Sequence, residues 1–145
     1  MKSIISICIT LFFTFVCACE RVEENYLSEN VEYAAAQYDL LIEKLGKNGK
    51  PWAPRTVDTK GNIVYAHNVW DWTSGFFAGS LWYLYNLTGD EKWKTLAKKY
   101  TETLKQQQYI TSHHDVGFII GCSYLNGMRM GQEAYDTIIV QAAKS

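Results

Sequence analysis

A surplus of positive charge is missing from this sequence, and histidine is scarce. The chain has 14 lysine and arginine residues against 15 aspartate and glutamate residues, a formal net charge of −1. Because phosphate binding needs clustered positive charge, this balance argues against a nucleic-acid partner. A zinc site needs three or four ligands at a workable spacing, and the only histidines are His67, His113 and His114. We therefore expect neither a metal nor another cofactor.

The sequence also lacks an apolar run long enough to span a bilayer. The stretch from Ile4 to Ala18 carries no charge but has only about 15 residues, whereas a spanning helix needs roughly 20. Its length fits the apolar core of a secretory signal. The closing Val16-Cys17-Ala18-Cys19 is similar to the lipobox of bacterial lipoproteins, in which the last cysteine is lipidated and becomes the first residue of the mature chain. An ordinary cleaved signal peptide or a signal anchor is the alternative.

This segment determines the predicted N terminus and location of the protein. Residues 1–18 are predicted to be a lipoprotein-type signal peptide, Cys19 the lipidation site, and residues 19–27 a polar tether. The protein is accordingly expected to be exported to the periplasm or the outer membrane, and to contact the membrane only through its N-terminal lipid anchor. Cys122 is then the only free thiol, so no intrachain disulfide can form. Its apolar neighbours indicate a small buried side chain rather than a nucleophile.

The domain itself is predicted to begin at residue 28. A helix opens at Ser28, carries an apolar stripe along one face, and closes at Gly46. The stretch from Lys47 to Asn68 contains both prolines and has no helical period. About twenty residues without regular structure in a compact domain usually form a functional loop.

Two features of this loop bear on its structure and function. The turn signals Asn48-Gly49 and Lys60-Gly61 favour a short β-hairpin as the alternative to an irregular loop. Trp52 and Arg55 are candidates to reach a ligand. A tryptophan that anchors its own loop is nevertheless the more common case.

The rest of the chain contains a repeat. The stretch Asp71-Trp72-Thr73-Ser74-Gly75-Phe76-Phe77-Ala78-Gly79 is repeated, 42 positions later, by a stretch that ends in Val116-Gly117-Phe118-Ile119-Ile120-Gly121. The same offset pairs Gly89 with Gly131. Self-similarity at this period, with about two helices per unit, indicates stacked helical hairpins.

The apolar patterns assign the helices to two layers. Trp72–Thr88 and Val116–Leu125 are apolar on all sides and are predicted to be inner helices surrounded by protein. Gly75 and Gly79 flatten one side of the first and allow a neighbour to approach closely. The helices that follow each inner segment are amphipathic and therefore outer. Outer and inner helices alternate as in an α/α toroid.

About two and a half hairpins cannot close a ring. We therefore predict that residues 28–145 are the N-terminal part of a longer domain. The alternative is a small open helical stack whose final face is covered by a partner.

The register of the repeat predicts a site. Trp72 matches His114 and Thr73 matches Asp115, and in such a ring the N-terminal ends of the inner helices surround one hollow. Neighbouring side chains at a helix start diverge by about 100°, so only one of His113 and His114 is expected to face it. Asp115 is also the fourth residue of a capping-box variant that begins at Ser112, so a purely capping role remains open.

The two motifs, Asp71 to Tyr85 with Thr88-Gly89-Asp90 and then His113-His114-Asp115-Val116-Gly117-Phe118, resemble the unsaturated glucuronyl hydrolases of glycoside hydrolase family 88. The resemblance implies an all-α fold, here an incomplete (α/α)6 barrel or six-hairpin toroid. It implies an enzyme that removes a 4,5-unsaturated uronic acid from lyase-generated oligosaccharides by hydration of the vinyl ether.

The resemblance also assigns residues. Asp115 matches the first of two essential aspartates, and Trp72 and His114 match positions that line the uronate subsite. The second aspartate, the general acid and base, belongs on a later inner helix beyond Ser145, so the 145-residue chain is expected to be inactive alone. A related unsaturated rhamnogalacturonyl hydrolase and a non-catalytic, lipid-anchored glycan-binding protein are the alternatives.

Overall fold

The computed structural model describes residues 25–47, 52–66 and 71–145. They fall into two compact units, one that ends at Lys44 and one that comprises Leu45–Ser145. The predicted signal peptide, the lipidation site Cys19 and the histidine His67 lie outside the described residues. Within the described residues, no helix combines the length and the apolar character that a membrane crossing requires.

The first described helix, α1, covers residues 25–47. Residues 25–27, which we expected in the tether, are already helical, because no glycine or proline separates them from the apolar stripe. Gly46, the predicted stop, and Lys47 are still helical, and residues 48–51 lie outside the described residues. The positions of the predicted stripe are half-buried while most of the others are exposed: Val31, Ala34, Ala35, Tyr38 and Leu41. The amphipathic helix is therefore confirmed.

The loop predicted after α1 contains an antiparallel β-hairpin of β1 (Ala53–Val57) and β2 (Ile63–Ala66). Its turn contains the predicted Lys60-Gly61 signal, with Gly61 at a φ of 81°. The carboxylate of Asp58 accepts the backbone N–H groups of Lys60 and Asn62, both at 2.8 Å. Hydrogen bonds to the side chain and backbone of Asn62 hold the pKa of Asp58 below its usual value. The hairpin alternative is thus the correct one.

The pairing of the two strands is interrupted by one register shift. Pro54 pairs with Tyr65 and Thr56 pairs with Val64. Arg55 is therefore the extra residue of a β-bulge, a feature that redirects a side chain out of the regular alternation of a strand.

Two helical hairpins follow. In chain order their elements are α2 (Ser74–Thr88), α3 (Glu91–Glu102), a 3₁₀ turn (Lys105–Tyr109), α4 (Val116–Ile120), a π-helical turn (Gly121–Leu125), α5 (Asn126–Gly131) and α6 (Asp136–Lys144). The backbone stays helical from α4 through the π-helical turn to α5, so these form one inner helix. It starts 42 residues after α2, and α6 ends 42 residues after α3. The predicted repeat is therefore a structural repeat.

The second inner helix is one residue longer than the first. The first is followed by the C-cap residue Gly89, which has a left-handed φ of 69°, and the second by the C-cap residue Gln132, with a left-handed φ of 57°. A π-helical turn accommodates one additional residue. The predicted equivalence of Gly89 and Gly131 is consequently wrong by one position, and Gly131 lies inside the helix.

Trp82 of α2 lies at the centre of the core. It is fully buried, and its indole Nε1 donates to Thr101 Oγ1 of α3 at 3.0 Å. Gly127 and Gly131 of α5 lie against its ring, and a Cβ on either glycine would crowd the indole. The missing side chains on α5 therefore make room for the tryptophan and bring the two inner helices together.

The predicted close approach at Gly75 and Gly79 is confirmed. A Cβ on Gly75 would overlap the backbone oxygen of Ile119, and a Cβ on Gly79 would lie 2.7 Å from the backbone oxygen of Cys122. The N-terminal half of α2 thus packs directly on the backbone of the second inner helix.

One side of the helical pair is open among the described residues. Gly117 and Gly121, which correspond to Gly75 and Gly79, have room for a side chain, since a Cβ on either would meet no described atom within 4 Å. On α2, an exposed stripe is formed by Phe76, Tyr83 and Leu87. The expectation that α2 is covered on all sides is therefore wrong for this part of the chain. A closed ring would cover such a face with further helices.

Candidate functional site

The mouths of the two inner helices, the three residues that precede the first turn of each, are built alike. In the mouth of α2, the backbone N–H of Thr73 donates to Asp71 Oδ1 at 3.1 Å. In the mouth of α4, the backbone N–H of Asp115 donates to His113 Nδ1 at the same distance. Asp71 and His113 thus play equivalent local roles, and the side chains of Thr73 and Asp115 occupy equivalent positions.

The Asp115 carboxylate lies between two imidazoles. Its Oδ1 is 3.3 Å from His114 Nε2, and its Oδ2 is 3.9 Å from His113 Nε2. Only 21% of the Asp115 side chain is exposed, whereas the His114 side chain is 94% exposed. The arrangement places one partly shielded carboxylate beside an imidazole that is open to a ligand.

The His114 side chain is 94% exposed and the His113 side chain only 14%, which agrees with the expectation that the two histidines do not both face one hollow. Their rings stack with centroids 5.9 Å apart and planes 17° apart. The 100° divergence applies inside a helix, but α4 begins only at Val116, so both histidines precede the helix and follow the path of the turn. His113 is bound at Nδ1, which must be unprotonated to accept the Asp115 N–H.

Asp115 does not cap its helix. It occupies the N-cap position of α4, yet no side-chain oxygen accepts a backbone N–H there. The capping box that Ser112 could have begun is therefore not formed, and that alternative is wrong. The carboxylate keeps its acceptor capacity for the histidines and for a ligand.

Trp72 joins the two mouths through an aromatic cluster that consists of Trp72, Phe76 and Phe118. The Trp72 ring meets Phe76 edge-on at 5.4 Å and Phe118 at 5.8 Å between centroids. Phe118 lies in the first turn of α4, three residues after Asp115. Trp72 remains 42% exposed. The structure thus places the predicted indole and the predicted carboxylate at neighbouring helix mouths.

The repeat signalled two residues of this cluster that were not singled out from the sequence. Phe76 and Phe118 are equivalent positions of the repeat, and their rings lie 6.4 Å apart at 90°. Both are partly exposed. Pairs of equivalent aromatic residues one turn inside two helix mouths could have been found by the alignment that found Trp72.

Asp71 is a further residue that sequence reasoning missed. It is 8% exposed, its Oδ1 accepts the hydroxyl of Thr73 at 2.6 Å, and its Oδ2 lies 3.3 Å from Arg55 Nη1. This ion pair ties the bulge of β1 to the mouth of α2. Of the two loop residues proposed to reach a ligand, Arg55 is therefore next to the site.

The other loop candidate, Trp52, packs edge-on against Tyr65 of β2, with centroids 6.2 Å apart. This contact fits the role of anchoring its own loop. Cys122 is half-buried, and burial raises the pKa of its thiol, so a nucleophilic thiolate is disfavoured. Residues 25–47, 52–66 and 71–145 contain no group of three or more His, Cys, Asp or Glu side chains arranged to hold a metal ion.

The sequence model of glycosyl hydrolase family 76 matches residues 29–144. The chain belongs to this family. The match covers both helical hairpins and α1, that is, the α/α repeat rather than the two mouths alone. Family 76 is related, as an α/α-barrel family, to the enzymes that the two motifs resemble.

Individual relatives carry the name that the motifs predicted. An unsaturated glucuronyl hydrolase of Formosa agariphila is 28% identical over 100% of this chain and 38% of its own length. An unsaturated glucuronyl hydrolase of Bacillus sp. strain GL1 is 35% identical over 48% of this chain and 19% of its own length. An unsaturated chondroitin disaccharide hydrolase of Streptococcus agalactiae is 29% identical over 64% and 23%. The resemblance to unsaturated glucuronyl hydrolases is thereby confirmed.

A solved structure supports the fold. An unsaturated glucuronyl hydrolase specific for heparin aligns with a TM-score of 0.61 and 38% identity, over 65% of this chain and 25% of that protein. The described residues therefore form part of an α/α barrel, as predicted. The chain spans less than two fifths of the length of the Formosa relative.

Proposed function

We propose that the protein hydrolyses oligosaccharides released by polysaccharide lyases and removes a 4,5-unsaturated uronic acid from their non-reducing end. The observation that carries the proposal is the carboxylate of Asp115, which caps no helix, lies between two imidazoles and precedes Phe118 of the aromatic cluster by three residues. The names of the relatives support the same chemistry.

The proposed reaction is hydration of the vinyl ether. A proton is added to carbon 4, water adds at carbon 5, and the resulting hemiketal collapses to release the sugar. This differs from ordinary glycoside hydrolysis, in which two carboxylates act on the acetal itself. We assign His114 and Asp115 to hydrogen bonds with the uronate, in which Asp115 accepts from hydroxyl groups of the sugar, and the exposed face of Trp72 to packing against its ring.

We also propose that the 145-residue chain gives no turnover by itself. In the family that the motifs resemble, the general acid and base is a second aspartate on a later inner helix. The chain covers 38% of the length of the Formosa relative, and general acid–base catalysis needs a positioned proton donor. Turnover by the isolated chain would contradict this proposal.

The test of function uses the full-length gene product with the substitution Asp115→Asn. Unsaturated chondroitin, heparin and rhamnogalacturonan disaccharides are supplied, and loss of the ultraviolet absorbance of the conjugated double bond is followed. We expect the variant to lose roughly 10²- to 10³-fold in activity, the range for one fixed group that stabilises charge developing in the transition state. Its circular dichroism should stay near that of the unsubstituted protein.

Asp136→Asn is the matched control, because Asp136 is also an acidic residue at a helix start but begins the outer helix α6. It should retain full activity. If Asp115→Asn were as active as this control, the carboxylate would have no catalytic role and the non-catalytic glycan-binding alternative would be favoured. Turnover of rhamnogalacturonan disaccharides alone would favour the other alternative, a related unsaturated rhamnogalacturonyl hydrolase.

The lipid anchor and the exported location are proposed on the sequence pattern alone. Cys19 should incorporate labelled fatty acid in bacterial cells, and the protein should fractionate with membranes. Cys19→Ser should abolish both. A membrane-bound Cys19→Ser variant would show that residues 1–18 act as a signal anchor instead.

A further inference from the structure

We propose that Arg55 binds an anionic group of the substrate, a carboxylate or a sulfate ester, at the edge of the α2 mouth. The proposal rests on the proposed function and adds a residue that determines which sugars are accepted. Three observations support it: the β-bulge, the ion pair with Asp71 and the charge distribution at the two mouths.

The bulge determines where the Arg55 side chain lies. Because Pro54 and Thr56 pair with adjacent residues of β2, Arg55 has no cross-strand partner of its own in the hairpin. Bulges often lie next to active sites, where they redirect a side chain. Here the redirected side chain meets Asp71, which immediately precedes Trp72.

The ion pair leaves binding capacity on Arg55. Asp71 is buried, and besides the guanidinium it binds the N–H and the hydroxyl of Thr73. The Arg55 side chain is 50% exposed and contacts Asp71 through Nη1. A guanidinium has five N–H donors in a planar fork that matches carboxylate and sulfate oxygens. Donors therefore remain on the exposed part of Arg55 while Asp71 fixes its position.

Binding of an anionic sugar at the two mouths requires a positively charged group. The two mouths contain the carboxylates of Asp71 and Asp115, and each repels an anionic sugar. The histidines carry charge only when protonated. Among the described residues, the ion pairs at the α2 and α4 mouths include one permanently charged cation, Arg55. An anionic substrate is therefore expected to bind on the side of the mouth where Arg55 lies.

The test compares Arg55→Gln, Arg55→Lys and Asp71→Asn in the full-length gene product. The substrates are unsaturated disaccharides of equal backbone with and without a sulfate group. Kinetic constants are measured together with affinity by calorimetry for each disaccharide. Thermal unfolding reports whether each variant is folded.

We expect Arg55→Gln to raise KM about tenfold or more, the effect of losing one charge-assisted hydrogen bond, with kcat little changed. Arg55→Lys keeps the charge but loses the fork, so its KM should be intermediate. An increase for both substrates assigns the uronate carboxylate as the bound group. An increase for the sulfated substrate alone assigns the sulfate.

Asp71→Asn separates binding from structure. It removes the charge of the ion pair but retains Arg55 and an amide oxygen that can accept a hydrogen bond, so affinity for the anionic sugar should fall less than in Arg55→Gln. Equal losses in Arg55→Gln and Asp71→Asn would overturn the inference, because Arg55 would then act only by holding the hairpin. Unchanged KM values in both Arg55 variants would overturn it as well.

Failure of the proposed function has a different signature. The unsubstituted full-length protein would then turn over none of the disaccharides. The calorimetric affinities would still decide on Arg55, since a binding site for the anionic sugar predicts weaker binding by Arg55→Gln whether or not turnover follows.

Discussion

At the scale of single residues, the two helix mouths differ in which side chain accepts the backbone N–H that precedes the helix. In the mouth of α2, Asp71 accepts both the backbone N–H and the hydroxyl of Thr73. In the mouth of α4, His113 accepts the backbone N–H of Asp115, and the residue just before the helix, Asp115, carries a carboxylate where Thr73 carries a hydroxyl. The carboxylate of Asp115 is therefore left for other partners, although the two backbones follow the same course.

This comparison predicts a positioning role for His113. His113→Ala removes the acceptor of the Asp115 N–H, whereas His113→Asn retains an acceptor two residues before that N–H, as Asp71 does in the other mouth. We expect the alanine variant of the full-length protein to lose kcat with KM little changed, and the asparagine variant to restore most of it. The hydrogen bond itself should contribute about 1 kcal/mol to stability.

Kinetic constants and chemical denaturation of both variants provide the check. Equal kcat values for the alanine and asparagine variants would show that the acceptor does not position Asp115. A loss confined to stability in both would indicate a purely structural histidine.

Two buried tyrosines predict an alkaline limit to stability. Burial, followed by the negative charge of Glu102, raises the pKa of Tyr124 and of Tyr135 well above the usual 10.0. The unfolded chain therefore loses these protons first as pH rises, so the free energy of unfolding should fall above about pH 10. Denaturation midpoints measured from pH 8 to 11 should decrease. Tyr135→Phe should weaken the dependence, and an unchanged slope would contradict the assignment.

At the scale of elements, the approach of α2 to the second inner helix depends on missing side chains. Gly75 faces the backbone of Ile119, while its repeat equivalent Gly117 faces open space among the described residues. The same residue type at the same repeat position thus has opposite tolerance. The difference arises because α2 has a neighbour on that side within the described chain and α4 does not.

Gly75→Ala and Gly117→Ala form a matched pair that tests this contact. Gly75→Ala should destabilise the chain by about 1–3 kcal/mol, the usual effect of overpacking. Gly117→Ala should be neutral or stabilising by up to about 1 kcal/mol, because alanine restricts the unfolded chain more than glycine does. Urea denaturation of the 145-residue chain measures both. A neutral Gly75→Ala variant would show that the two helices do not pack backbone to backbone.

At the scale of the whole molecule, the repeat and the family membership predict how the open side is used. Gly117 and Gly121 correspond to Gly75 and Gly79 of α2, against which the neighbouring inner helix packs. In a complete barrel the same stripe on the second inner helix should carry the next one. The exposed stripe of Phe76, Tyr83 and Leu87 should likewise be shielded.

The substitution Gly117→Leu tests this prediction by comparing two lengths of chain. It should leave the 145-residue chain nearly as stable as before, but destabilise the full-length gene product by at least about 1–3 kcal/mol. Gly75→Leu is the control and should destabilise both. Equal tolerance of Gly117→Leu in both lengths would mean that no helix packs on this stripe.

The sequence by itself determined the helices, the alternation of inner and outer helices and the 42-residue repeat. The period of the apolar residues, the spacing of the glycines and the residues at helix starts are local signals. They predict a helix regardless of which elements pack against it in the folded chain. The one-residue error at Gly131 shows the limit of such signals, because the π-helical turn Gly121–Leu125 adds one residue to the second inner helix without changing the apolar pattern.

Only the tertiary structure decided which side chains meet. The stacking of the two histidines, their contacts with the Asp115 carboxylate and the contact of Arg55 with Asp71 all involve residues in turns or in a bulge. Side-chain directions at such positions follow the packing of elements that are far apart in the chain, and no periodic pattern encodes them.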